Sequence, residues 1–267
     1  MSYPQRSADA TQAVHYWRDG AVAHIRFNRP DALNAINVPV AQGFLAACRA
    51  IAADPEVRAV LITGEGRAFM AGGDLAAMQA DPQAGTLKLI DGMHGALRLL
   101  ADLQAPVVAS VHGAVMGAAL GVILGCDLVI AAEGTKFGFA YSLVGACCDC
   151  STSWGLPRVV GWRKAMELAL LAEPFDAAEA QRLGLVNRLV PAAALAAETD
   201  ALMQRLSSGP TVAFGLLKRL MRSSHTHDLP THLDMEAAGF MACTGTQDFA
   251  EGIGAFLERR KPVFTGR

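Results

Sequence analysis

The stretch that most constrains this chain is APVVASVHGAVMGAALGVILGCD, residues 105 to 127. Pro106 precedes an apolar β-branched run (Val107, Val108, Val111) that reads as a short buried strand. The pattern then changes abruptly to Gly117, Ala118, Ala119, Leu120 and Gly121, small residues opening a tightly packed helix. A helix N-terminus presents unpaired N–H groups and the positive end of the macrodipole. A strand running into such a turn is therefore a place to hold developing negative charge, and small side chains let a ligand approach the backbone.

On either side of this stretch, strand-like and helical runs alternate. Val14 to Trp17 and Ala21 to Phe27 flank Asp19-Gly20, a hairpin dipeptide. The turn NRPDALNAIN (28 to 37) leads into an amphipathic helix reaching about Ala52. Val57 to Thr63 reads as a strand, AFMAGGDL (68 to 75) as a glycine loop, and Leu87 to Leu103 as a helix with Leu87, Ile90, His94, Leu97 and Leu100 on its apolar face. Asp127 to Ala131 is a further strand. Such alternation predicts an α/β fold with right-handed crossovers and a largely parallel sheet. From Trp162 onward the pattern predicts helices only, with Asp176 and Glu179 spaced as a capping box. A boundary between 190 and 210 divides the chain into an α/β core, residues 1–200, and a helical region, residues 201–267.

Composition narrows the function classes. The net charge of −2 offers no basic footprint for nucleic acid. No apolar run reaches the ~18 residues of a membrane helix uninterrupted, and Met1 to Thr11 is polar without a signal-peptide core, so a cytoplasmic protein is expected. Apolar residues make up 52% and charged residues 18%, which predicts surface buried between subunits. Arg259, Arg260 and Lys261 form a short basic run that reads as a solvated helix end or as a contact for a small phosphorylated ligand. The six cysteines read as free thiols rather than a disulfide frame. Cys147, Cys148, Asp149 and Cys150 cluster without a second Cys pair or a neighbouring His in sequence, so no metal site is expected. His112 reads as structural, and His225, His227 and His232 as parts of a polar connection between helices.

Seven segments occur together in order: NRPDALNAIN, VRAVLITGEGRAFMAGGDL, APVVASVHGAVMGAALG, CDLVIAA, TSWGLPRVVGWRKAMEL, AEAQRLGLVNRLVP and AFLERRKPVF. In this set the chain resembles the crotonase family, the enoyl-CoA hydratase and isomerase superfamily, from about Ala21 to Phe264. The resemblance implies a crotonase-like spiral of ββα units with a C-terminal helical trimerisation region. It also implies a homotrimer or hexamer acting on acyl-CoA, with coenzyme A entering as part of the substrate and no separate cofactor. By position in the family motifs, the N–H groups of Gly73 and Ala118 form an oxyanion hole for a thioester enolate, the anion the helix N-terminus is suited to hold. Met70, Ala71 and Gly72 lie along the substrate path. CoA follows the Asn28 to Leu33 turn, with its adenine near Ala32 and Leu33 and its phosphates near Arg29, and Phe264 approaches the CoA of a neighbouring subunit.

The departures from the family are informative. The two glutamates that handle water in the hydratases are replaced here by Gly121 and Tyr141, and neither replaces a carboxylate. Asp149 instead matches the aspartate of the family's phenylacetate-pathway isomerases and of its 4-chlorobenzoyl-CoA dehalogenases. Read by itself, Asp149 ahead of Ser-Thr-Ser is also a helix cap. His94 matches a dehalogenase histidine, and alone it reads as a packed core residue, while Tyr141 stands where the dehalogenases have tryptophan. The resulting expectation is an isomerase in which Asp149 moves a proton. The alternatives are a dehalogenase-like enzyme or thioester hydrolase using Asp149 and His94, and a non-catalytic CoA-binding protein. Met70, Met93, Met116, Phe139 and Tyr141 are candidates to line an acyl pocket.

Overall fold

The turn at Asp19-Gly20 joins two antiparallel strands, β1 (Val14–Asp19) and β2 (Val22–Phe27), with Asp19 opposite Val22 and Gly20 at φ +55°. The computed structural model describes residues 12–267, so the polar segment weighed against a signal peptide lies outside the described residues. After the hairpin, Asn37 caps α1 (Val38–Ala53) by accepting the Val40 N–H at 3.1 Å. Val40, Ala41, Phe44, Ala47, Cys48 and Ile51 give that helix one buried face. Next come β3 (Ala59–Gly64), α2 (Leu75–Ala80), α3 (Ala84–Asp102), β4 (Val107–Val111), β5 (Ala114–Met116), α4 (Ala118–Gly125), β6 (Leu128–Ala132) and β7 (Lys136–Gly138). The chain continues through α5 (Thr152–Val160), α6 (Trp162–Leu171), β8 (Phe175–Asp176), α7 (Ala177–Arg182), β9 (Arg188–Val190), α8 (Leu195–Ser207), α9 (Thr211–Ser223), α10 (Leu229–Thr244) and α11 (Gln247–Leu257).

Two sheets organise these elements. The large one has the order β1-β2-β3-β4-β6-β9, parallel except for the β1–β2 hairpin. The small one has the order β5-β7-β8. Each inner strand of the large sheet hands the chain to the small layer before a helix returns it. Thus β4 is followed by β5 and α4, β6 is followed by β7, and β3 is followed by Met70, which bridges Val115 of β5. This repeated ββα path is the spiral expected from the sequence. Alternation along the buried strands fills both faces of the large sheet. Val60, Ile62, Val107 and Ala109 pack with the helices on one face, while Ala59, Leu61, Val108 and Ile130 meet Leu195, Leu202 and Met203 of α8 on the other. A buried hydrogen bond between Ser110 and Thr199 hydroxyls, 2.8 Å, ties α8 to β4.

Three sequence expectations change. The segment after Trp162 is not wholly helical: β8 and β9 are strands, and β9 extends the large sheet by pairing with β6. Two or three residues are too few to show a periodicity, and pairing with a formed sheet edge decides their conformation. The division at residue 200 falls within α8, a single helix packed on the sheet. The buried face of α3 is Leu89, Gly92, Met93, Ala96, Leu97 and Leu100, whereas Leu87 is exposed. Gly92 selects this face, because a Cβ there would lie 2.9 Å from the Ala41 backbone of α1. The Asp176 cap on α7 is present, accepting the Glu179 N–H at 2.9 Å. All six cysteines are free thiols, and among the described residues no helix is long and apolar enough to cross a membrane.

Candidate active site

The first component of the site is a pair of backbone amides brought together by glycines. Ile36 bridges Gly73 in parallel fashion through two bonds: Ile36 N–H to Gly72 O at 2.8 Å and Asp74 N–H to Ile36 O at 2.9 Å. That pattern uses the groups on either side of Gly73 and leaves its own N–H facing away from the bridge. Across from it, Gly117 (φ +55°, ψ −120°) precedes α4, whose first residue is Ala118. The Ala118 N–H is thus one of the helix's unpaired leading donors. The two backbones touch: a Cβ on Gly72 (φ +98°) would sit 3.1 Å from Met116 O, and one on Gly117 3.7 Å from Gly72 Cα. The backbone at Gly72 therefore lies against that at Gly117, just ahead of the α4 N-terminus.

A buried asparagine that the sequence did not single out holds the Gly72 loop in place. Asn34 is fully buried, and its Nδ2 contacts the carbonyls of Glu65, Ala68 and Phe69 at 2.9, 2.8 and 3.1 Å. Its Oδ1 accepts the Arg29 N–H at 2.8 Å. Leu33 and Asn34 are both left-handed, so the turn from Asn28 to Leu33 is rigidly shaped against that loop, and Ala71 N–H reaches Leu33 O at 3.0 Å. Arg29, proposed from the sequence for CoA phosphates, is committed elsewhere. Its guanidinium pairs with Asp74 at 3.1 Å and donates to Ala35 O at 2.6 Å. Asn28 likewise braces the turn by donating to Gln12 O at 2.9 Å. Ala32 and Leu33 remain partly exposed on it. Met70 and Met93 are sealed in the core rather than lining a pocket, since each packs against the strand and helix layers. Phe264 does not join the site of its own chain. It sits in a separate groove of about 220 Å³ with Pro210, Phe249 and Ile253.

The second component is the carboxylate. Asp149 lies between a 3₁₀ turn (Ser142–Val144) and α5. It does not cap α5 with its side chain: the helix starts at Ser151 with no side-chain cap, and Asp149 contributes its main-chain carbonyl to Thr152 N–H at 3.0 Å. Cys150 and Ser151 are consecutively left-handed, at φ +51° and +62°. This is costly for non-glycine residues and characteristic of functional turns. The Asp149 carboxylate accepts the Tyr141 hydroxyl at 2.5 Å. Burial, and then the adjacent carboxylate, push the Tyr141 phenol well above its usual range. The same two causes raise the thiol of Cys150, which is fully buried.

His94 reaches this loop from α3. Its Nε2 accepts the Cys150 N–H at 3.2 Å, so in the neutral ring the proton resides on Nδ1. One ligand atom each from His94, Asp149 and Cys150 falls within 4.8 Å of the others. A metal would need the imidazole lone pair and a thiolate. In this arrangement the Nε2 lone pair accepts a backbone amide, and burial raises the Cys150 thiol. A cavity of about 750 Å³, between α3, α4, α5 and α9, is bounded near this point by His94, Ser151 and Trp154.

Gly121 connects the two components. A Cβ at this position would lie 2.1 Å from Cys150 O and 2.6 Å from Cys150 Cβ. The backbone that carries Asp149 therefore occupies the space where a side chain from residue 121 would go. Gly121→Ala is expected to push that loop outward by about 1 Å and lower turnover on the order of 10²-fold. The thermal midpoint should fall as well, because the backbone displaced is that of the fully buried Cys150.

Comparisons with known proteins identify the family. The enoyl-CoA hydratase/isomerase family model matches residues 18–267. The 1,2-epoxyphenylacetyl-CoA isomerase of Escherichia coli K12 is 36% identical over 250 residues, 92% of this chain and 95% of that one. The crotonyl-CoA hydratase of Syntrophomonas wolfei is 34% identical over 257 residues, 94% and 96% of the two chains. The crystal structure of an enoyl-CoA hydratase from Polaromonas sp. JS666 is similar at a TM-score of 0.88 and 31% identity, over 94% of this chain and 99% of that one. With the spiral of ββα units and a family match across almost the whole chain, this protein belongs to the enoyl-CoA hydratase/isomerase family.

Proposed function

We propose that the protein is an acyl-CoA isomerase that moves a proton with Asp149. The Gly73 and Ala118 N–H groups hold the thioester carbonyl oxygen, and Asp149 removes a proton from the carbon next to that carbonyl. The C–H electron pair passes into the enolate, whose charge rests on the oxygen facing the two amides. Asp149 then returns the proton at a different carbon, the double bond shifts, and the composition of the substrate is unchanged. The observation that carries this reading is the interlock of Gly121 with Cys150. A side chain at 121 would collide with Cys150, which supports a reading without a glutamate there and with the neighbouring Asp149 as the carboxylate. Similarity to a 1,2-epoxyphenylacetyl-CoA isomerase supports isomerisation and an aromatic or related acyl group. Hydrolysis through an aspartyl ester needs a base for water, and the Nε2 lone pair of His94 is already engaged by Cys150 N–H.

On this reading CoA runs along the Asn28 to Leu33 turn with adenine beside Ala32 and Leu33, no separate cofactor takes part, and the enzyme works in the cytoplasm. Exposed Phe240, Met241, Phe256 and Leu257 on α10 and α11 support assembly of residues 201–267 into a homotrimer or hexamer, with Phe264 directed to a neighbour's CoA. The test is a panel of acyl-CoA thioesters read by product mass. A mass-neutral product supports the isomerase. A gain of water indicates a hydratase, free acid a hydrolase, and binding without any product a non-catalytic protein.

A further inference from the structure

A carboxylate that takes and returns a proton has two oxygens, and one of them, Oδ1 of Asp149, is held by a phenol. Tyr141 donates its hydroxyl hydrogen to Oδ1 at 2.5 Å. Its ring packs edge-on against Phe139, with centroids 5.2 Å apart. Its backbone is fixed as well: its N–H reaches Phe139 O at 2.8 Å, and its carbonyl accepts the N–H groups of Val144 and Ala146, each at 3.1 Å. A phenol has one hydrogen to give, and this one is given to Asp149. The Cys150 thiol also hydrogen-bonds the Asp149 carboxylate, from the same buried turn, and His94 faces it too but is turned to the Cys150 amide.

We infer that Tyr141 is a positioning residue whose hydroxyl pins Oδ1 of Asp149 and leaves Oδ2 as the one oxygen that removes and returns the proton. The inference rests on the isomerase reading. In the step itself the C–H proton moves to Oδ2 while its electron pair enters the enolate. The same proton then passes from Oδ2 to the second carbon on the same face of the substrate, and the Tyr141 hydrogen stays on its oxygen throughout. A carboxylate without this anchor rotates, exposes its proton to water and loses register with the second carbon.

Tyr141→Phe keeps the ring that packs on Phe139 and deletes the donor alone. With a thioester that the panel shows to be isomerised, deuterated at the carbon that loses its proton, the wild type should return most of the deuterium to the product. Tyr141→Phe should release it to water, with kcat lowered about 10- to 100-fold and KM within about twofold. Tyr141→Phe should also leave the thermal midpoint near that of the wild type, because the ring that packs on Phe139 is kept. Tyr141→Phe matching the wild type in retention and kcat while Asp149→Asn is inactive overturns the role of Tyr141 alone. Full turnover by Asp149→Asn would instead remove the isomerase reading.

Discussion

Asp149→Asn is expected to lower kcat by about 10³-fold or more while leaving the affinity for a CoA thioester within a few-fold of wild type. Positioned acid–base groups contribute about 10²- to 10⁴-fold, so a loss of 10³ removes about 4 kcal/mol of transition-state stabilisation. Asparagine makes the comparison clean. Its amide oxygen can still accept the Tyr141 hydroxyl that reaches Asp149 at 2.5 Å, and its size preserves the turn through the left-handed Cys150 and Ser151. Only the ability to hold a proton is lost. Binding should persist because the Asn28 to Leu33 turn is braced separately, by Asn34 and the Arg29–Asp74 pair. The measurement is steady-state turnover alongside calorimetric binding of a non-reactive thioester; an Asp149→Asn enzyme with wild-type kcat would contradict the assignment.

Ala118→Pro is the corresponding test of the oxyanion amides. Backbone donors are ordinarily beyond the reach of mutagenesis, but Ala118 is the first residue of α4, where proline is well tolerated because its missing N–H would be unpaired in any case. The substitution therefore deletes one donor with little cost to the helix. Gly117, with its positive φ, also escapes the restriction proline places on an α-helical predecessor. Removing one such donor is expected to reduce kcat by about 10²- to 10³-fold, or about 3 to 4 kcal/mol, with the thermal midpoint nearly unchanged. A fall in stability that accounts for the lost activity would mean that Ala118 matters only for packing.

These two predictions concern groups that the sequence exposed to different degrees. The strand-to-helix change at Gly117-Ala118 was readable because apolar β-branched residues give way to small ones within a few positions. The hairpin, α1 and its Asn37 cap were readable for similar local reasons. Asp149 and Tyr141 were each singled out, Tyr141 as a substrate contact, yet their hydrogen bond was not, since it depends on how the turn of residues 142–148 folds back. The interlock of Gly121 with Cys150 was also hidden. Nothing local to a glycine inside an apolar helix reveals that another segment's carbonyl sits over it. Asn34 looked like one more polar residue in a turn until the fold carried the carbonyls of Glu65, Ala68 and Phe69 to it. Arg29 was read as free for a phosphate, because its partner Asp74 is distant in sequence and close only in space.

The central claim is that Asp149 carries a proton and forms no bond to carbon. Turnover in heavy-oxygen water, followed by digestion and mass analysis of the peptide containing Asp149, tests it most directly. Proton transfer leaves both carboxylate oxygens untouched, so the peptide mass should not change after many turnovers. Incorporation of heavy oxygen into Asp149 would show that an aspartyl ester forms and is hydrolysed, and would contradict the account.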